Sequence, residues 1–140
     1  MSDKAPGIAL ILGWGGVIPF VGSALLFAFG DPMTRIYALS FGTLYGGLIV
    51  CFIGAVHWGR ALIDHQPWLM IWSVIPALMM APVLWLAPPF RAPLLIIALL
   101  ILWAVDLKAT RDGFLPRWYM RLRHGLTAVA SLSLLTMALG

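Results

Sequence analysis

Glutamate is absent from this 140-residue chain, and its five acids are all aspartate. Charged residues make up only 10% of the sequence. With so few ionisable groups, no pair of carboxylates stands out for acid–base work. There is also no Ser-His-Asp order, no glycine-rich phosphate loop and no complete metal-ligand motif, so a non-enzymatic role without a cofactor or metal is expected. Cysteine occurs once, as Cys51 inside an apolar stretch. An intrachain disulfide is therefore impossible, and a small packing residue is the ordinary reading of that position. The chain has no low-complexity tract, and no internal repeat of the kind that builds transporters from inverted halves.

The abundant residues are apolar: hydrophobic side chains are 62% of the sequence, and the mean hydropathy is +0.99. A soluble domain cannot cover so much apolar surface, whereas a hydrocarbon layer about 30 Å thick accepts apolar helices of roughly 20 residues directly. Five stretches qualify, at 8–29, 37–59, 68–86, 93–107 and 122–139. They lack the alternation of barrel strands, and backbone polar groups in lipid must be satisfied internally, so each is predicted to be a helix. The expectation is an all-α integral membrane bundle of five transmembrane helices in one domain, 1–140. The fourth and fifth spans are the shortest of these stretches. Asp31-Pro32, Gln66-Pro67 and Pro88-Pro89 read as turns, and 108–121 is the one connection with room for structure of its own.

With five spans, the N-terminus and the second and fourth connections share a side. That side carries Lys4, Arg60, Lys108, Arg111, Arg117, Arg121 and Arg123, against Arg35 and Arg91 opposite. The positive-inside rule then places the N-terminus in the cytoplasm and the C-terminus in the periplasm. The formal charge of +4 is accordingly a topology signal, because the basic residues border the membrane and form no free nucleic-acid-binding domain. The opening Met1-Ser2-Asp3-Lys4 is too weakly basic for a mitochondrial presequence, and the first apolar run is too long for a typical signal-peptide core. A retained anchor in a bacterial inner membrane is expected.

Several groups of residues invite a role. Gly42 and Gly46 form a GxxxG pair that Gly47 and Gly54 extend, a small surface suited to close helix packing or, alternatively, to a homo-oligomer seam or a docking face for another subunit. Pro19 falls within the first span, and Pro76 and Pro82 within the third, as expected kinks. His57 and Arg60 close the second span, Asp106 and Lys108 the fourth, and Arg121, Arg123 and His124 open the fifth. Asp106 at an interface would meet Arg121 or Arg123, since an acid inside lipid calls for a partner. A structural ion pair is the first reading of this cluster, with a proton path through His57 and Asp106 as the alternative. His57 and His124 as haem or metal ligands form a third reading, without a spacing motif behind it. Trp58, Trp68, Trp72, Trp103, Trp118 and Tyr119 lie near span ends and read as an interfacial belt, with a lipid or quinone pocket as the lesser alternative.

The elements Gly54-Ala-Val-His-Trp-Gly59 and Gly113-Phe-Leu-Pro-Arg-Trp-Tyr-Met-Arg-Leu-Arg123, with Asp106 between them, resemble the domain of unknown function 3429 family. That family is similar to the mitochondrial transmembrane protein 69 group of animals. The resemblance implies a multi-helix inner-membrane protein without an established reaction, and it draws attention to His57, Trp58, Gly59, Asp106, Pro116, Trp118, Tyr119, Arg121 and Arg123. Taken together, the expected function is an accessory or assembly subunit of a larger inner-membrane, bioenergetic complex. Its partners would be lipid and other membrane subunits. The alternatives are a small proton-linked carrier or channel and a haem- or quinone-binding redox subunit.

Overall fold

The computed structural model describes residues 4–140. Residues 1–3, on which part of the targeting expectation rests, lie outside the described residues. Six helices follow one another: α1 (Gly7–Gly15), α2 (Ile18–Phe29), α3 (Pro32–Asp64), α4 (Pro67–Val83), α5 (Pro88–Arg111) and α6 (Arg117–Leu139). No strand occurs among the described residues. The all-α expectation holds, with each apolar run helical and the first divided in two.

Proline explains most boundaries. The expected kink at Pro19 is a break: α1 ends at Gly15, and Pro19 sits in the first turn of α2, where its missing N–H costs no hydrogen bond. The turn dipeptides act the same way. Pro32, Pro67 and Pro88 start α3, α4 and α5, and Asp31 caps α3 by accepting from the Thr34 N–H at 3.1 Å. His65 in the left-handed conformation, φ 51°, closes α3 so tightly that two residues suffice to reach α4.

Two expectations are corrected. The fourth and fifth spans are not the shortest: α5 has 24 residues and α6 has 23. Pro93 lies inside α5 and does not start it, and α6 begins five residues before the apolar run. Polar helix ends carry no hydropathy signal, so apolar counting truncated both helices. The shortest of the five apolar runs is α4 with 17 residues, about 26 Å at 1.5 Å per residue. The other four runs are long and apolar enough to cross a membrane. The roomy connection at 108–121 shrinks to residues 112–116.

The long α3 is the hub, packed against α2, α4 and α5, while α6 packs on α5 and α2 and touches α1. Phe20, Val50, Leu95, Leu99, Leu102 and Leu134 are fully buried between these helices. Small residues let α3 accept so many neighbours. A Cβ on Gly54 would stand 2.7 Å from Pro76 of α4, one on Gly47 would stand 2.9 Å from Leu84, and one on Gly46 would stand 3.1 Å from Leu95 of α5. Gly42 is equally close to Ser23 of α2 and Met137 of α6. All four glycines thus pack within the chain, each pair toward different helices. Outward, Phe29 and Trp85 are 86% and 91% exposed, an apolar exterior that requires lipid.

The ends sort as an up-and-down bundle must. Arg35 donates to the Gly140 carbonyl at 3.2 Å, joining the start of α3 to the end of α6. On the opposite side Trp68 meets Phe114 edge-on at 5.9 Å, and Lys108 stacks over the same indole, joining the α3–α4 and α5–α6 connections.

Candidate functional site

The candidate site lies where α3, α5 and α6 converge. His57 sits on α3, Asp106 on α5 and Arg123 on α6, and all three are buried. His57 Nε2 is 2.6 Å from Asp106 Oδ1, and Arg123 Nε donates to Oδ2 at 2.7 Å. Because the carboxylate accepts on both oxygens, the imidazole proton that faces it belongs to Nε2. Arg123 Nη1 donates to Thr127 Oγ1 at 2.6 Å, and Thr110 Oγ1 donates to the Asp106 carbonyl at 2.8 Å. Tyr119 interacts with both Asp106 and Arg123. Within this cluster two buried nitrogens have no hydrogen-bond partner, His57 Nδ1 and Arg123 Nη2.

Partners from two other helices account for the burial of this cluster. Asp106 was expected at the interface, where the fourth apolar run stops. It stands five residues before the end of α5 at Arg111, and its carboxylate is buried against α3 and α6, paired as expected with an arginine of α6. A buried carboxylate with no partner would be strongly disfavoured, and the Arg123 guanidinium, 5% exposed, compensates it. The arginine bonded to Asp106 is therefore Arg123, while Arg121 is exposed. Arg60 lies outside the triad and pairs with Asp64 one turn along α3.

The histidines separate as well: His57 binds Asp106, while His124 accepts from Trp103 Nε1 at 2.9 Å. Trp58 is 47% exposed near the end of α3. Trp118 and Tyr119 are half-buried and meet edge-on, and Tyr119 turns toward the triad, away from the headgroup level expected for it. Thr127 was missed by sequence reasoning. Its signal was present, because residues 119, 123 and 127 recur at intervals of four and so share one face of α6. Trp14 also proves specific, since a Cβ on Gly125 would stand 2.8 Å from its ring.

Beside the triad is a cavity of about 280 Å³, lined by residues of α1, α2, α3, α5 and α6. Phe20, Phe52, Trp118 and Leu126 form much of its wall, and Tyr119, Arg123 and Thr127 supply polar groups. Chemically the site joins an internally neutralised charge pair to an apolar chamber, a combination suited to holding helices and an amphiphile.

Known proteins resemble this chain in sequence. The family described as protein of unknown function (DUF3429) matches residues 5–139. Transmembrane protein 69 of Xenopus tropicalis is 35% identical over 142 residues, which cover 93% of this chain and 53% of that relative. The chain thus spans about half the length of the curated relative it matches. No solved structure matches.

Proposed function

The chain belongs to the DUF3429 family, and on that premise we propose that it is a non-catalytic accessory or assembly subunit of a larger inner-membrane complex of energy metabolism. One observation carries the proposal. The longest connection between helices is residues 112–116, so nearly all the surface through which the described chain can act is the lipid-facing side of helices. The natural partner for such a surface is another membrane-spanning helix or lipid. The charged triad supports the non-catalytic part, because Asp106 accepts on both oxygens from groups of its own bundle.

The cell membrane proposed is a bacterial inner membrane, with the N-terminus cytoplasmic and the C-terminus periplasmic. The seven-to-two division of Lys and Arg supports this orientation. Extraction from the native membrane into polymer nanodiscs through an N-terminal tag, followed by mass spectrometry, tests the subunit role. Stoichiometric recovery with the subunits of one membrane complex is expected; recovery alone as a monodisperse species would defeat it.

The 2.6 Å contact between His57 and Asp106 favours one second reading, a proton-linked carrier. Buried acids mark proton routes in membranes, and an imidazole can both donate and accept a proton. The Asp106→Asn variant in proteoliposomes separates the two readings: a carrier loses proton-coupled flux, whereas a structural pair loses yield.

A further inference from the structure

Arg123 has five N–H donors in a fixed planar fork, and the bundle uses only some of them. Its Nε goes to Asp106 and its Nη1 to Thr127. Nη2 is buried with no partner, and Arg123 is part of the cavity wall. A buried donor left unpaired on a residue of the chamber wall is satisfied when that wall adjusts to admit an acceptor from the chamber.

We propose that this cavity binds a membrane amphiphile through a neutral carbonyl head, the chemistry shared by isoprenoid quinones and acyl-ester lipids. The charge balance selects a neutral head. Asp106 already neutralises Arg123 at 2.7 Å, so an anionic head would be repelled by that carboxylate while gaining little from a guanidinium already paired. A carbonyl needs only the spare N–H. The chamber, about 280 Å³, is just below the roughly 300 Å³ at which small-molecule sites begin. It accommodates a head and the first carbons of a tail, and Phe20, Phe52 and Trp118 offer flat apolar walls to that head.

The tail has an exit. Among the lining residues Leu12 and Phe52 are 68% and 70% exposed, so the chamber opens sideways between α1 and α3 into lipid. The wall on that side is also the least anchored. Helix α1 buries none of its residues and is separated from α2 by the break at residues 16–17. A ligand can enter from the bilayer by displacing α1 without disturbing the triad. This assignment is independent of the subunit role.

The full chain, purified in dodecyl maltoside, which has no carbonyl, is titrated with decylubiquinone and followed by quenching of tryptophan fluorescence. A monoacylglycerol and dodecanoate serve as competitors. Saturable quenching is expected, with Arg123→Lys weakening it roughly tenfold, about the value of one hydrogen bond to a charged group. Ala9→Phe is expected to abolish saturation. Ala9 lines the chamber on α1, away from the triad, so this variant remains informative if Arg123→Lys fails to fold. Displacement by the monoacylglycerol identifies the ligand as an acyl-ester lipid; its failure to displace identifies a quinone. Quenching that never saturates, binding unchanged in Ala9→Phe, or stronger competition by dodecanoate than by either neutral compound would overturn the assignment.

Discussion

Replacing Asp106 by Asn keeps the shape of the side chain and one acceptor oxygen but removes its charge. Arg123, 5% exposed, is then a buried cation without a counter-ion. Breaking such a pair from one side costs about 3–5 kcal/mol, roughly two to four powers of ten in the folded-to-unfolded ratio. A hydrogen bond between membrane helices is worth only about 0.6 kcal/mol on average, so the size of the loss tells whether charge or hydrogen bonding dominates. The assay is unfolding of the purified protein in mixed micelles by added sodium dodecyl sulfate, followed by tryptophan fluorescence. The triple variant His57→Phe, Asp106→Leu, Arg123→Met provides the decisive comparison. Apolar replacement of an entire buried ion pair is often neutral or stabilising, so the triple variant should regain most of what Asp106→Asn loses. A loss below about 1 kcal/mol in the single variant, or a triple variant as unstable as the single one, would refute the role of charge compensation.

Other consequences can be checked with similar means. Gly54→Val should lower stability by about 1–3 kcal/mol through overpacking, because its first added carbon meets Pro76 at 2.7 Å. Gly59→Ala has open space around it and should be neutral or raise stability by about 0.4–1 kcal/mol; thermal unfolding of both variants tests the pair. At the head of α3, the Thr34 side chain and N–H hold the Asp31 carboxyl below its ordinary value of 3.8. A depressed value stabilises the fold above 3.8, and that contribution fades as pH falls through the lower folded-state value. The difference in melting temperature between the native chain and Asp31→Ala should therefore be constant near neutrality and shrink below about pH 4; a difference that grows on acidification would contradict the cap. For orientation, cysteines placed at Asp112 and Ala87 in a Cys51→Ala background should react with a membrane-impermeant maleimide from opposite sides, Ala87→Cys from the periplasm. Labelling of Asp112→Cys in intact cells would invert the proposed topology.

Composition was enough to settle the class of this protein, because a chain this apolar satisfies its backbone in lipid only as helices or a closed barrel, and no barrel alternation is present. The five runs, the prolines between them and the sorting of basic residues were legible for the same reason: hydropathy and proline geometry are local. Helix ends were less legible. The turns at residues 108–111 and 117–121, each carrying two basic residues, continue α5 and α6 beyond the apolar runs, so apolar counting understated the length of both helices. The choice of Arg123 over Arg121 depended on the rotation of α6 against α5, which linear spacing does not specify. The same holds for His57, whose partner comes from a helix 49 residues away, and for the glycines of α3, whose pattern indicated close packing without saying which helix each would meet. The cavity was wholly a tertiary result. It exists because α1 breaks from α2 and packs mainly against α6, leaving between five helices a space that no single segment encodes.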